Sequence, residues 1–165
     1  MKNLEQLAAL CEADLRSLGI RTGAVVCWRI NTRAKSCWGQ CRELAPGRFE
    51  LSIAARLLQD EVSDQAAKNT IVHELLHTCP GCHGHRGRWA ELAAEVNRRL
   101  PQYTIKRTAT LEEKGLAPVI RTRTDRYMLR CTRCGRTFCR ERQSRLILHP
   151  EQYRCTCGGR LVRER

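Results

Sequence analysis

Two histidines and one glutamate near the middle of the chain carry the clearest chemical signal in the sequence. In the run His73-Glu74-Leu75-Leu76-His77 the histidines are four residues apart, so on an α-helix both imidazoles lie on one face. They can then bind a single zinc ion, while Glu74 lies beside them and can polarise a water molecule. The spacing therefore predicts a site for metal-assisted hydrolysis.

A catalytic zinc ion needs a third protein ligand and keeps one position open for solvent. Two histidines, His83 and His85, follow within one loop. His83 has the spacing of the pattern HExxHxxGxxH, but Pro80 stands where that pattern needs a glycine, and proline cannot adopt the positive φ that glycine supplies. Glu91 and Glu95 on the next predicted helix are further alternatives, although the histidines lie nearer in sequence. At this point both histidines remain candidates.

The C-terminal part of the chain contains two close pairs of cysteines, separated by 20 residues. A closed, tetrahedral structural zinc site needs four thiolates, and two cysteine pairs supply them from two tight backbone turns, called knuckles. The predicted ligands are Cys131, Cys134, Cys155 and Cys157. Because the second pair is CxC where zinc ribbons more often have CxxC, Cys139 and His149 are possible substitutes. Disulfides are the other interpretation, which a reducing compartment disfavours.

Two further cysteine pairs have no obvious partner pair. Cys79 and Cys82 form a CxxC around a Pro-Gly turn, and Cys37 and Cys41 lie four residues apart. Either pair can bind a second metal, act as a redox pair or remain as unmodified thiols. The sequence leaves these alternatives open.

The positive charge of the chain is concentrated at its C-terminal end. The formal net charge is +13, and ten of these charges fall in the last 65 residues, which favours a module that contacts a polyanion. We expect salt-sensitive, sequence-independent binding of DNA, chiefly single-stranded. The predicted contacts are Arg130, Arg133, Arg136, Arg140 and Arg142. Three interleaved aromatic residues either build the small core or stack on unpaired bases: Tyr127, Phe138 and Tyr153.

Periodicity and turn residues predict the elements that position these side chains. Helices are expected over 3–18, from 63 or 64 to 78, and over 87–100, with Asn3 as a cap and Pro101 as a stop. Three β-prone runs at 24–30, 36–42 and 48–53 predict a small antiparallel sheet. Residues 102–125 show no clear period. The last 40 residues are too poor in apolar side chains to fold by hydrophobic burial alone.

Several of these motifs together resemble the SprT-like (Spartan) metalloprotease domain. The resemblance rests on Trp28, on the runs 38–41, 49–53 and 73–77, and on Gly84-His85-Arg86-Gly87-Arg88-Trp89. It covers nearly the whole chain. In that family the third zinc ligand precedes a helix in a motif of the form His-Gly-x-x-aromatic. Trp89 matches the aromatic residue, which implies that His85 is the ligand, although Arg86 stands where the family usually has glycine.

The resemblance also implies a fold, a domain organisation and a function. We expect an α+β chain with a zincin-like metalloprotease domain over 1–105, a linker over 106–125 and a small β zinc ribbon over 126–165. The expected cofactors are two Zn²⁺ ions, one catalytic and one structural, and the general base is Glu74. Relatives in eukaryotes degrade proteins crosslinked to DNA, so DNA and DNA-bound proteins are the expected partners.

The expected location follows from segments that the sequence lacks. No run of about 18 apolar residues and no basic, apolar leader is present, which predicts a cytoplasmic protein without membrane contact, nucleoid-associated or nuclear. The alternative function is a non-catalytic, zinc-dependent DNA-binding or regulatory protein. In that case the motif at 73–77 is structural or idle.

Overall fold

The chain divides into two compact units, Met1–Val119 and Ile120–Arg165. A computed structural model describes residues 1–34, 37–116 and 126–164. Helices and small sheets are both present, so the mixed α+β class is confirmed. None of the helices in the described ranges has the length and apolar character that crossing a bilayer demands.

Three helices of the first unit follow the sequence prediction to within one or two residues. They are α1 (Leu4–Ser17), α2 (Asp64–His77) and α3 (Arg88–Arg99). The side chain of Asn3 accepts a hydrogen bond from the backbone N–H of Gln6, and that of Ser63 accepts one from Ala66, so both N-termini are capped as expected. The α3 helix ends at Arg99, two residues before Pro101, since proline cannot continue the hydrogen-bond ladder.

The sheet of the first unit is mixed, so the predicted antiparallel sheet is wrong. Its strands are β1 (Ala24–Asn31), β2 (Gly39–Ala45) and β3 (Arg48–Ala54), in the order β1-β3-β2. The β2 strand is antiparallel to β3, whereas β1 is parallel to it. The most buried strand, β3, takes the middle position, and a parallel pair needs a long connection. Residues 32–47, which include β2, supply that connection.

The first unit extends beyond its predicted end at residue 105. Tyr103, Ile105 and Leu116 are buried in its hydrophobic core, and a single 3₁₀ turn at Glu112–Lys114 packs there as well. The prediction of a linker over 106–125 is therefore wrong for residues 106–116. Its sparse apolar residues follow no single period, which is why the sequence pattern did not reveal the packing. The rest of the predicted linker, 117–125, lies outside the described residues.

The second unit is a three-stranded antiparallel sheet with one short helix. Its strands are β4 (Tyr127–Cys131), β5 (Thr137–Arg140) and β6 (Leu161–Arg163), in the order β5-β4-β6. The helix α4 (Arg145–Leu148) and a 3₁₀ turn at Pro150–Gln152 occupy the stretch between the two cysteine pairs. The buried core among the described residues is small: Leu129, Cys131, Ile147, Cys155 and Leu161.

Candidate metal centres

Three histidine side chains of the first unit converge on one point. His73 and His77 lie one turn apart on α2, and His85 comes from the loop before α3. Their Nε2 atoms are separated by 3.3 Å (His73 to His77), 3.1 Å (His77 to His85) and 2.9 Å (His73 to His85). The structure therefore brings together the three histidines that the resemblance implied. This group can hold a metal ion.

Backbone carbonyls fix the orientation of two of these rings. His73 Nδ1 lies 3.0 Å from the carbonyl oxygen of Lys106, and His77 Nδ1 lies 2.8 Å from that of Cys82. Because a carbonyl oxygen only accepts hydrogen bonds, each ring donates through Nδ1–H and carries its lone pair on Nε2. Two such Nε2 atoms cannot hydrogen-bond to each other, so their close approach fits a shared cation.

The donor set also fits zinc in its spacing and protonation. Tetrahedral bonds of about 2.0–2.1 Å to nitrogen place two ligand atoms about 3.3 Å apart, and the observed separations are 2.9–3.3 Å. Burial, reinforced by the neighbouring histidines, lowers the pKa of His73 to about 4, and burial also lowers the pKa of His85. Both rings are therefore neutral at neutral pH, which is the form that binds a metal.

Trp89 packs against all three histidines and is almost completely buried. Its ring centroid lies 4.8 Å from those of His73 and His85, and 5.5 Å from that of His77, on which it stacks. An aromatic ring in contact with every ligand ring restricts their rotation. This contact gives a physical reason for the aromatic residue in the motif at 85–89.

Glu74 lies in the wall of a cavity of about 500 Å³ that also contains the three histidines. Its side chain is buried, and no group in the described part of the chain donates a hydrogen bond to its carboxylate. Burial raises the pKa of Glu74 to about 7, with Lys114 acting in the opposite direction. The β2 strand passes directly over it, since a Cβ atom on Gly39 would come within 2.6 Å of Glu74 Cγ. Glycine at position 39 therefore makes room for the carboxylate.

Lys114 is a residue of this cavity that sequence reasoning missed. It is only 6% exposed, and its ammonium group donates to Thr70 Oγ1 at 2.5 Å and to the Ala66 carbonyl at 3.3 Å. Burial lowers its pKa to about 8, while Glu113 and Glu74 act in the opposite direction. Leu111 and Leu116 on either side are apolar, but two residues do not make a period, so the sequence did not reveal that this segment packs on the core.

The alternative ligands of the first unit lie outside the histidine group. His83 is exposed at the cavity wall, Glu91 is exposed, and Glu95 pairs with Arg98 and Arg99. Cys79 and Cys82 are buried free thiols whose pKa burial raises. Cys37 is exposed, and Cys41 lines the cavity. Among the described residues, only the histidine and C-terminal cysteine groups bring three or more metal-ligand side chains together.

Four cysteines of the second unit form the other group that can hold a metal ion, and they are the predicted ones: Cys131, Cys134, Cys155 and Cys157. Sγ–Sγ separations are 3.5 Å for Cys131 to Cys157 and 3.6 Å for Cys134 to Cys155. Zinc–sulfur bonds of about 2.3 Å place ligand atoms about 3.8 Å apart. Cys139 and His149 lie outside this group.

Backbone N–H groups stabilise thiolates in this cluster. Cys131 Sγ accepts hydrogen bonds from the N–H groups of Arg133 at 3.4 Å and Cys134 at 3.5 Å. The backbone N–H of Cys157 lowers the pKa of Cys155 to about 6. Each knuckle turns through a glycine at positive φ, Gly135 at 70° and Gly158 at 82°. No position is left open for a substrate, because four side chains complete a tetrahedral site.

The five arginines predicted to contact DNA are all exposed, but most also make local contacts. Arg133 Nη1 donates to the Cys157 carbonyl at 2.7 Å, and Arg136 Nη1 donates to Thr156 Oγ1 at 3.2 Å. Arg130 pairs with Glu164, and Arg140 donates to the Cys139 carbonyl at 2.8 Å. Of the five, Arg142 has no such contact with the described residues. Two of the aromatic residues, Tyr127 and Phe138, pack on the small core, whereas Tyr153 is exposed.

The two clusters differ in what they can do chemically. Three imidazoles beside a carboxylate and a cavity suit a metal that acts on a bound molecule, whereas four cysteines in two knuckles suit a metal that holds the chain together. No protein-family model matches the sequence, and no curated protein does. The functional interpretation therefore rests on the chemistry of the two clusters and on the resemblance in the motifs.

Proposed function

We propose that this protein is a zinc-dependent endopeptidase of the SprT-like family, with a zincin-like catalytic domain, that acts on proteins bound or crosslinked to DNA. One observation carries the proposal: three histidine Nε2 atoms lie within 3.3 Å of one another in the cavity that Glu74 also lines. A structural zinc site needs neither a cavity nor an adjacent carboxylate without a hydrogen-bond donor. A zinc-dependent hydrolase needs an open position for its substrate, and an adjacent carboxylate can act as its general base.

The residues around the histidines have distinct roles in the proposed reaction. His73, His77 and His85 would hold the zinc ion, which supplies a Lewis acid at that position. Glu74 takes a proton from the attacking water and delivers it to the leaving amine nitrogen. Its carboxylate is available for this because no described group donates a hydrogen bond to it. The Lys106 and Cys82 carbonyls keep the imidazoles in the tautomer that leaves Nε2 free.

The edge of the sheet provides a way to bind an extended peptide. The β2 strand pairs with β3 on one side only in the described part of the chain, and Gly39, Cys41 and Glu43 line the cavity from it. A peptide that adds to a free strand edge gains main-chain hydrogen bonds whatever its sequence. This mode suits an enzyme that cleaves many proteins without strong sequence selection.

The second unit is proposed as a zinc ribbon that binds DNA. Residues 126–165 contain 11 arginines and three glutamates, with no lysine or aspartate. Guanidinium groups bind phosphate bidentately, and contacts to the backbone carry no sequence information. We therefore expect salt-sensitive binding of single-stranded DNA without base preference. The proposed contacts are the five exposed arginines named above, of which Arg142 makes no ion pair or hydrogen bond with the described residues.

The test combines metal analysis with digestion of casein and of a DNA-binding protein, with and without single-stranded DNA. We expect two zinc ions per chain, cleavage of both substrates and stimulation by DNA. The Glu74→Gln variant should keep both zinc ions and lose cleavage. Tight DNA binding without cleavage by wild-type protein carrying two zinc ions would instead favour the non-catalytic DNA-binding alternative.

A further inference from the structure

A second, shallower hollow adjoins the cavity of the first unit at His85. Its lining residues are Gly84, His85, Arg86 and Arg107. Two of them, His85 and Arg107, also line the larger cavity. The hollow and the cavity therefore adjoin at His85 and Arg107.

The two arginines of this hollow lack an anionic partner. Both are exposed, and neither makes an ion pair or hydrogen bond with any residue in the described ranges. Lys106, the residue before Arg107, differs because its ammonium group pairs with Glu113 at 2.5 Å. The positive charge of Arg86 and Arg107 is thus uncompensated among the described residues of the first unit.

The electrostatic field at the hollow favours a carboxylate and disfavours an ammonium group. Arg107 lies next to His85 in the lining of both the hollow and the cavity. Two guanidinium groups that share a hollow repel each other. A carboxylate between them relieves this repulsion because it accepts hydrogen bonds from both guanidinium groups. A lysine or arginine side chain at the same place adds a third like charge.

We propose that the hollow lined by Arg86 and Arg107 binds an acidic side chain of the substrate, close to the scissile bond. This inference rests on the proposed peptidase function and adds a substrate preference to it. Side chains on the same face of an extended peptide recur about every 6.6–7 Å. Since the hollow and the cavity share His85, a side chain one or two residues from the bond is the one that enters the hollow.

The test uses peptides that differ at one position and variants that reverse the charge of the hollow. Peptides with Asp, Asn or Lys at each position flanking the cleaved bond are assayed for kcat/KM with the full-length, zinc-loaded protein. At one of these positions the wild type should prefer Asp to Lys by about tenfold. The double variant Arg86→Glu/Arg107→Glu should invert the preference, and Arg86→Ala/Arg107→Ala should abolish it.

Matched controls separate the hollow from general charge effects. Arg21→Glu changes an exposed arginine outside both cavities and should keep the preference for Asp. In the Glu74→Gln background, fluorescence anisotropy should show the same order of peptide binding without turnover. The zinc content of both double variants should equal that of the wild type, which shows that the histidine site is intact.

The remaining outcomes distinguish this inference from the proposed function. Equal cleavage of Asp and Lys peptides at every position overturns the inference and leaves the peptidase proposal standing. No cleavage of any peptide or protein by the zinc-loaded wild type overturns both. If the double variants lose single-stranded DNA binding while the peptide preference is unchanged, the hollow is a phosphate contact and the inference is wrong.

Discussion

The two candidate metal centres lie in units that differ sharply in how much apolar core surrounds them. Among the described residues, the first unit buries 26 apolar side chains in one cluster, whereas the second buries five, of which two are cysteines of the metal group. A unit with so small a core cannot offset its conformational entropy by hydrophobic burial. We therefore propose that metal is a reagent in the first unit and part of the folding core in the second.

The surroundings of each cluster agree with this division. The histidines face a cavity of about 500 Å³ and a buried carboxylate, and carbonyls of other segments hold their rings. The cysteines instead lie between two backbone knuckles and receive N–H donors. Removing metal should therefore abolish function in one unit and structure in the other.

The largest expected effect is the loss of the second unit when one thiolate is removed. Cys155→Ser should unfold it, because binding of a structural zinc ion supplies about 10–16 kcal/mol of its folding free energy. Two-dimensional amide NMR of the full chain should show collapse of the second unit's resonances while those of the first remain. Cys139→Ser, in the same sheet but outside the cluster, is the control and should leave the spectrum dispersed. A folded second unit in Cys155→Ser would break the comparison.

The next largest effect concerns Glu74. Glu74→Gln should lower kcat by about 10²–10⁴-fold, or roughly 3–5 kcal/mol, because the amide cannot accept the proton from water. Zinc content and unfolding free energy should stay close to wild type, since no described hydrogen bond is lost. Glu91→Gln, on the neighbouring helix, serves as the matched control and should retain full activity. Wild-type turnover in Glu74→Gln would leave the first unit without a catalytic base.

A smaller effect is expected from the buried lysine of the cavity. The folded-state pKa of Lys114 is about 8, below the ordinary value of 10.5, so between these pH values the unfolded chain holds more protons and stability rises with pH. Lys114→Met should therefore be more stable than wild type at pH 7, by roughly 1–3 kcal/mol, and the difference should shrink toward pH 10. Urea unfolding at several pH values measures this, and a pH-independent difference contradicts it.

The smallest effect tests the space above Glu74. Gly39→Ala places a Cβ atom against the Glu74 side chain, so the carboxylate must shift, and a displacement of about 1 Å in a catalytic group lowers the rate by about ten- to a hundredfold. We expect the low end of this range, with unchanged zinc content. Steady-state kinetics measures kcat, and metal analysis measures the zinc content. An unchanged kcat would mean that Glu74 does not act from the position described.

The histidine and cysteine groups were predictable because their spacing is local. Residues four apart on a capped helix must share a face, and Ser63 caps α2 as the sequence indicated. The two cysteine knuckles are equally local, and the four cysteines that their spacing predicts are the four that form the cluster. The choice of His85 over His83 came from the resemblance, since spacing alone left both open.

Features that depend on distant contacts were not predictable from the pattern. The β1 strand pairs in parallel with β3 because the most buried strand takes the middle of the sheet. Three consecutive β-prone runs suggest antiparallel hairpins, so the pattern predicted the wrong pairing. The packing of residues 106–116 depends on isolated apolar side chains. The same packing brings Lys114 and the Lys106 carbonyl to the cavity, so neither was predictable. Gly39 shows its role only once Glu74 is seen beneath it.

The proposed division between the two units is tested most directly by anomalous diffraction at the zinc edge. The crystals contain the full chain and are grown with zinc. We predict two peaks. One lies among the Nε2 atoms of His73, His77 and His85, with solvent as the fourth ligand and Glu74 not coordinated, and the other lies among the four cysteine sulfurs. Absence of the first peak, or a protein side chain filling its fourth position, would contradict a catalytic zinc centre in this protein.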